Sequence, residues 1–193
     1  MPKKAARALP VIAFELHVEF AHISPQIWRS VLVQSAMTLE DLHGVFQVVF
    51  NWDDRHLYRF KLAGRAFMRP TPDFPAEDAT RITLADLALD LGATLAYTYD
   101  FGDRWALQLR VDDVEPREPG VQYPQCLGGA RAGPPEDCGG PPFYEDFLSV
   151  LANPAHPEHA DRRAWVGPHF DAEAIDLRAT NRLLALLFDD AAT

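Results

Sequence analysis

The chain of 193 residues is 48% hydrophobic and 11% aromatic, which is enough apolar material for one compact domain with its own core. This composition excludes an intrinsically disordered chain, since such chains cannot bury enough apolar surface to offset the entropy lost on ordering. The net charge of -10 repels a phosphate backbone, so the sequence favours a protein partner over nucleic acid and leaves any small molecule unassigned.

The N-terminal region does not have the pattern of a signal peptide. The apolar run after Lys4 is interrupted by Pro10 and Glu15, and no segment of the chain is apolar for long enough to span a membrane. We therefore expect a cytoplasmic protein without membrane association, in which Cys126 and Cys138 are free thiols.

Residues 1–10 are expected to form a flexible tail, and residues 11–193 a single domain. The tail carries Lys3, Lys4 and Arg7, which form a local basic cluster in an acidic chain. A solvated tail is the favoured interpretation of this cluster, and nucleic-acid binding is the alternative.

The first third of the chain has the pattern of two hairpins separated by a helix. Apolar and polar residues alternate over 11–21, which predicts a half-buried strand, and a second strand is predicted over 27–34. Thr38 is followed three residues later by an acid, which is the spacing of a capping box and predicts a helix start. Two short strands are then predicted over 57–62 and 65–68.

The middle of the chain predicts a loop, a second helix and another hairpin. Residues 70–79 are rich in Pro and Asp and predict the loop. Thr83 has the same capping spacing as Thr38, and it predicts a helix that buries Leu91 and ends at Gly92. Alternating apolar residues on both sides of Asp100–Asp103 then predict two strands joined by a tight turn.

The last third of the chain begins with a Pro/Gly-rich segment, residues 115–142, which predicts a long loop. Helices are predicted over 143–152 and 176–188, the second of them burying Leu184 and Leu187. Hairpins interleaved with helices predict an α+β fold, with a mostly antiparallel sheet that is built from hairpins and covered by helices.

Two pairs of carboxylates are candidates for a functional site. Asp100 and Asp103 lie at the tip of the predicted hairpin, where Asp side chains commonly bond backbone amides, so a structural turn is the favoured interpretation. Glu136 and Asp137 follow two prolines, which stiffen the loop and can preorganise the carboxylates or simply anchor it. Together with Trp105 they predict an acidic, aromatic-lined binding surface.

A zinc site is a weaker candidate. Cys126, Cys138, His156 and His159 offer the thiolate and imidazole donors that zinc prefers. However, the two cysteines are twelve positions apart and only two residues separate the histidines, so the spacing departs from that of structural zinc sites. No cofactor is therefore expected, and zinc or another divalent metal is the alternative.

Several motifs together resemble the plasmid pRiA open-reading-frame-three-like family, some of whose members are described as insertion-sequence passenger proteins of TnpR type. The main matches are Tyr97–Trp105, Tyr123–Cys126 and Pro134–Gly140, with further matches at Trp28-Arg29, Tyr144, His156–His159, Phe170-Asp171 and Asn181. The resemblance covers about residues 11–188 and implies an α+β domain associated with plasmids or mobile elements. It implies no established activity.

The chain departs from this family at three positions. Relatives often carry His where this chain has Leu107, Cys where it has Gly133, and Gly where it has Phe143. If relatives use those His and Cys side chains as metal ligands, this chain lacks them. The departures weaken the metal and enzyme interpretations for this member.

Two classes of function remain open at this point. The favoured one is a non-enzymatic accessory or binding module that acts through the acidic surface. The alternative is a metal-dependent hydrolase or nuclease, in which the carboxylates hold a hard cation or the Cys and His side chains hold zinc. The sequence has no Gly-x-Ser-x-Gly, P-loop or Rossmann glycine pattern, which disfavours the common hydrolases, nucleotide enzymes and dehydrogenases.

Overall fold

In the computed structural model, which describes residues 11–188, eight strands form one sheet. The strands are β1 (Ile12–Phe20), β2 (Trp28–Gln34), β3 (Tyr58–Leu62), β4 (Arg65–Met68), β5 (Glu77–Asp78), β6 (Thr94–Tyr99), β7 (Trp105–Pro116) and β8 (Gln125–Ala130). The helices are α1 (Leu39–Phe50), α2 (Pro141–Ala152), α3 (His159–Val166) and α4 (Leu177–Leu187), with a short 3-10 helix at Ala85–Leu87.

The strand order is β5-β4-β3-β6-β7-β1-β2-β8, and all neighbouring strands are antiparallel except β4 and β5. The predicted α+β fold with a mostly antiparallel sheet is therefore confirmed. Within the described part of the chain, each helix is too short or too polar to cross a bilayer. The predicted tail of residues 1–10, with Lys3, Lys4 and Arg7, lies outside the described residues, as do residues 189–193.

Strand β1 lies inside the sheet, and its alternating sequence buries one whole face. Leu16 and Val18 are fully buried, and Phe14 and Phe20 are almost so. Each such side chain contributes about 2 kcal/mol through the apolar area it removes from water. β2 pairs with one edge of β1 and β7 with the other, so the core is built around this strand.

Helix α1 begins where the capping-box spacing predicts. The Thr38 hydroxyl accepts the Asp41 N–H at 3.0 Å, and the Asp41 carboxylate accepts the Thr38 N–H at 2.8 Å. The helix packs on the sheet through side chains such as Phe46, whose ring lies edge-on to a tyrosine of β6. Asn51 ends the helix in the left-handed conformation, with φ 58°, and turns the chain into the loop of residues 51–57.

The helix predicted from Thr83 to Gly92 is wrong, because only the short 3-10 helix forms there. The reciprocal Thr83–Asp86 hydrogen bonds are present, as the spacing predicts. The amide of Leu84, however, bonds a carbonyl of the β2–α1 connection, and Ala88 adopts the left-handed conformation, with φ 49°, which stops the helix. Leu91 is 69% exposed rather than buried.

The segment 115–142 is a loop only in part. β7 extends to Pro116, and β8 forms in the middle of the segment, where its glycines hide the strand pattern. Gly129 has a structural reason: a Cβ there would lie 2.7 Å from the Trp28 carbonyl oxygen of the neighbouring strand. A side chain at this position would push β8 away from β2.

The predicted helices near the C-terminus are confirmed as α2 and α4, but the expected burial is wrong in one respect. Leu184 of α4 is fully buried, whereas Leu187 is 64% exposed. Neither the two-residue strand β5 nor the extent of helix α3 was predicted, because none of the α3 side chains is fully buried and the sequence shows no apolar stripe there.

A buried histidine on α1 links the helix to the sheet. His43 is 1% exposed; its Nδ1 lies 2.7 Å from the Tyr97 hydroxyl and its Nε2 lies 2.8 Å from an Asp54 carboxylate oxygen. Burial lowers the pKa of His43 below its ordinary value of 6.5, although the Asp54 hydrogen bond opposes this effect. The imidazole is therefore held neutral in the folded protein.

This shift predicts a pH dependence of stability. Between the lowered pKa of folded His43 and the pKa of about 6.5 in the unfolded chain, only the unfolded state takes up the proton. The free energy of unfolding should therefore fall as the pH drops below about 6.5, by at most about 1.4 kcal/mol per pH unit. Urea unfolding at pH 7.5, 6.5 and 5.5 measures the slope, with His43→Gln as the reference. Equal slopes in the two proteins would contradict this assignment.

Candidate metal centre

The side chain of His56 lies where three loops converge. His56 precedes β3 and Asp100 follows β6, and Tyr58 of β3 pairs with Tyr99 of β6 in antiparallel register. The start of β3 and the end of β6 are therefore adjacent. The Asp100 N–H donates to the Leu57 carbonyl at 2.9 Å, which fixes the two loops to each other.

The third loop, residues 131–140, is attached to the other two through Glu136. Glu136 Oε1 accepts the Asp53 N–H at 2.8 Å and the Tyr99 hydroxyl at 2.9 Å. The same hydroxyl accepts the Arg55 N–H at 3.1 Å. Burial, together with the Glu136 carboxylate, holds the pKa of Tyr99 well above its ordinary value, so the phenol stays protonated and donates to Glu136.

The Nε2 atom of His56 faces three carboxylates. It lies 3.1 Å from Asp137 Oδ1, 3.5 Å from Glu136 Oε2 and 3.7 Å from Asp100 Oδ2. Nε2 is shielded from solvent, yet among residues 11–188 it has no partner with hydrogen-bond geometry. The contacts are thus close electrostatic approaches rather than hydrogen bonds. The Asp100 and Glu136 side chains are 9% and 12% exposed, whereas that of Asp137 is 61% exposed.

The charges of these carboxylates are not balanced by a nearby permanent cation. Within residues 11–188, no Lys or Arg forms an ion pair with Asp100, Glu136 or Asp137, and His56 is the sole ion-pair partner of each. Mutual repulsion of carboxylates in a partly desolvated site favours the binding of a cation between them.

The geometry accommodates a divalent metal ion. His56, Asp100 and Asp137 each offer one ligand atom, and these three atoms lie within 4.8 Å of one another. Ligand atoms about 2.1 Å from a common ion are separated by roughly 3.0–4.2 Å. The distances from His56 Nε2 fall within this range, so a small inward movement would complete the coordination. Glu136 lies close enough to serve as a fourth ligand.

Two residues of the predicted acidic surface lie elsewhere. Trp105 is 1% exposed and packs edge-on against Phe20 and Tyr144, so it belongs to the core and does not line a surface. Asp103 accepts the Gly139 N–H at 2.9 Å and serves as an anchor for the third loop. The structure brings together the other three predicted residues, Asp100, Glu136 and Asp137, around His56.

The Cys and His residues considered for zinc are not gathered into a site among residues 11–188. Cys126 is buried, and its Sγ lies 3.5 Å from a carbonyl within β8. Burial raises the pKa of Cys138 to about 12, so this thiol is not a ready thiolate. His156 Nδ1 accepts a neighbouring backbone N–H, and His159 Nδ1 contacts the Val150 carbonyl.

Leu107 and Gly133, two positions at which the sequence was expected to depart from its family, are both occupied for reasons of packing. Leu107 is 1% exposed on β7 and belongs to the core. Gly133 lies against the end of α1, where a Cβ would be 2.1 Å from the Phe50 carbonyl oxygen. The cluster around His56 therefore takes none of its side chains from position 107 or 133.

His56 itself was not predicted from the sequence. It follows Asn51–Arg55 in an irregular loop with no periodicity or motif of its own. The pairing of β3 with β6 could have indicated it. The start of one strand lies beside the end of its antiparallel partner, so His56, before β3, lies near Asp100, after β6.

The Tyr99 hydroxyl is expected to stabilise both the loop of residues 51–57 and the position of Glu136 beside His56. Replacing it with Phe removes a donor from Glu136 and an acceptor from the Arg55 N–H, and should destabilise the protein by about 2 kcal/mol. Tyr144→Phe is the matched control, because within the described residues its buried hydroxyl has no hydrogen-bond partner. Chemical denaturation of both variants checks this. Equal losses of stability would contradict the role given to Tyr99.

Comparison with known proteins places the chain in a family. The sequence profile described as "Plasmid pRiA4b ORF-3-like protein" matches residues 12–179. The chain belongs to this family. Among its relatives is "Uncharacterized protein y4hQ" of Sinorhizobium fredii, 34% identical over 171 residues, an alignment that covers 86% of this chain and 88% of the relative.

The pRiA4b ORF-3-like fold is also represented by a crystal structure. The "Protein of Unknown Function MM3350" from Methanosarcina mazei Go1 is 35% identical, with a TM-score of 0.82 over 88% of this chain and 98% of that chain. Neither relative's name carries an activity. The family resemblance inferred from the motifs is thus confirmed, and the function has to be argued from the cluster at His56.

Proposed function

We propose that this protein is a divalent-metal-binding accessory module of the pRiA4b ORF-3-like family, with the metal held by His56, Asp100 and Asp137. One observation carries the proposal. A solvent-shielded imidazole nitrogen faces three carboxylates at 3.1–3.7 Å without a hydrogen bond and without a Lys or Arg counter-charge in residues 11–188. A cation between these groups satisfies all of them at once.

The donor set favours a first-row divalent ion. Imidazole nitrogen suits zinc, iron, copper and nickel, and carboxylate oxygen also suits manganese and magnesium. One imidazole combined with two or three carboxylates fits zinc or manganese, whereas calcium would call for six to eight oxygen ligands. Glu136 is fixed beside the site: its Oε1 accepts hydrogen bonds from the Asp53 N–H and the Tyr99 hydroxyl, and its Oε2 faces His56.

The bound metal would act as a docking point. Three protein ligands leave coordination positions open, and Asp137 is exposed, so these positions face solvent. A carboxylate or another oxygen donor of a partner protein can occupy them. This surface replaces the acidic, aromatic-lined surface that the sequence suggested, and it keeps Asp100, Glu136 and Asp137 as binding residues.

A metal-dependent hydrolase or nuclease is the second candidate. It is supported by the same incomplete ligand set, since catalytic metal sites keep a position for water while structural sites are closed. Metal-loaded protein should then hydrolyse a phosphodiester such as bis(p-nitrophenyl) phosphate, and Asp137→Asn should abolish this activity. If zinc, manganese and magnesium all fail to support turnover, the hydrolase candidate is rejected and metal binding is the function that remains.

Metal analysis tests the proposal. Protein purified without added metal, stripped with chelator and then titrated with zinc or manganese by calorimetry should bind one ion per chain. Binding should also raise the melting temperature, because a ligand that binds only the folded state stabilises it by mass action. Absence of stoichiometric binding would contradict the proposal.

A further inference from the structure

Helix α4 is fastened to the sheet by one face. Leu184 is fully buried, and the Asn181 side chain makes two hydrogen bonds with the backbone of Cys126, one at 2.7 Å and one at 2.9 Å. These contacts fix the orientation of the helix on β8. Its opposite face is therefore presented to solvent in a fixed geometry.

The exposed face of α4 is apolar along one edge. Leu183, Leu186 and Leu187 are 48%, 75% and 64% exposed. At 100° per residue they lie within about 100° of one another around the helix, so they form one strip rather than scattered surface residues. We refer to Leu183, Leu186 and Leu187 as the α4 strip. A strip of this kind is typical of a surface that another apolar element covers.

The other exposed edge of α4 is basic. Arg178 and Arg182 are one helical turn apart and exposed, and among residues 11–188 neither has an ion-pair or hydrogen-bond partner. Within the described residues, these two arginines place uncompensated positive charge beside the α4 strip, in a chain of net charge -10. A partner that packs along this edge therefore needs negative charge there.

A cleft of about 490 Å³ continues the α4 strip towards α1. Leu183 lies on its rim, and Val48, Val166 and Ile175 contribute to its walls. Asp171 and Asp176, the N-cap residue of α4, also line the cleft, but each accepts a backbone N–H, at 2.9 Å in both cases. The cleft can receive a large apolar side chain from whatever covers the strip.

We infer that α4 is the docking site for an acidic amphipathic helix of a partner protein. Its apolar residues would pack on the α4 strip, one of them would enter the cleft, and its carboxylates would pair with Arg178 and Arg182. Nucleic acid does not fit, because the strip is apolar and only two arginines accompany it. A second copy fits poorly, since antiparallel two-fold pairing of α4 would align the arginines of both copies along one edge.

A designed peptide tests the inference. The probe is an 18-residue helical peptide with Leu on one face and Glu on the other, and its control is a scrambled peptide of the same composition. The probe should bind the full chain with a dissociation constant in roughly the micromolar range, whereas the scrambled peptide should not bind. Leu183→Glu combined with Leu186→Glu should weaken binding at least about tenfold.

The basic edge is tested separately. Arg178→Gln combined with Arg182→Gln should weaken probe binding roughly threefold to tenfold, with a smaller loss at high salt. Circular dichroism confirms that each variant is folded. Failure of the probe to bind, equal binding of the scrambled peptide, or unchanged binding by the Leu variants would overturn the inference. A wild-type dimer that Leu186→Glu converts to a monomer in sedimentation would also overturn it, since a second copy would then cover the face.

Discussion

The variant His56→Ala is expected to bind zinc or manganese at least about 100-fold more weakly than the wild type. Loss of a residue that merely supports a ligand typically costs 10–100-fold in metal affinity, and loss of a ligand costs at least as much. His56 is the nitrogen donor of the cluster and the group on which the three carboxylates converge. Calorimetric titration of the chelator-stripped variant measures the effect.

Two comparisons make this result specific. Asp100→Asn should weaken metal binding to a similar degree, because an amide oxygen is a poorer ligand than a carboxylate for a divalent ion. His156→Ala is the matched histidine control, since His156 lies outside the cluster and should leave affinity unchanged. Similar losses for His56→Ala and His156→Ala, or wild-type affinity in His56→Ala, would contradict the site.

The variant Gly133→Ala is expected to lose about 3 kcal/mol of stability. A Cβ at this position would lie 2.1 Å from the Phe50 carbonyl oxygen, and backbone atoms cannot move aside as the end of a flexible side chain can. The loop would have to retreat from α1, and the hydrogen bond from Trp52 Nε1 to the Pro134 carbonyl, 3.0 Å long, would be strained. Chemical denaturation measures the loss.

Gly128→Ala is the matched control for this variant. A Cβ at Gly128 would be in ordinary contact, 3.8 Å from the Trp28 ring, so its effect should stay within about 0.5 kcal/mol. Because the same loop carries Glu136 and Asp137, Gly133→Ala should also weaken metal binding. Equal stability of the two variants would show that the loop is not packed against α1 as described.

The fold was largely predictable because local and tertiary preferences agree over most of the chain. The alternation in β1 and the capping box of α1 specify both type and boundary of these elements. The helix predicted after Thr83 does not form because the Leu84 N–H donates to the Met37 carbonyl in the connection between β2 and α1. β8 was missed because Gly128 and Gly129 interrupt the alternating pattern of a strand, and of the two only Gly129 is required by close packing on β2.

The candidate site was predictable only in part. Asp100, Glu136 and Asp137 were predicted because they lie in motifs rich in carboxylates and aromatics, and their side chains converge. Trp105 was predicted for the same reason, but it is a core residue. His56 has no motif, and its position beside Asp100 arises from strand pairing between segments more than forty residues apart. Composition shows which loops are rich in carboxylates and aromatics, but the register of the sheet determines which of these side chains lie next to one another.

Anomalous diffraction from crystals grown with manganese or zinc tests the metal site most directly. We expect one anomalous difference peak about 2.1 Å from His56 Nε2 and from a carboxylate oxygen each of Asp100 and Asp137, with Glu136 within reach as a further ligand. A map with no anomalous peak at this position would contradict the account.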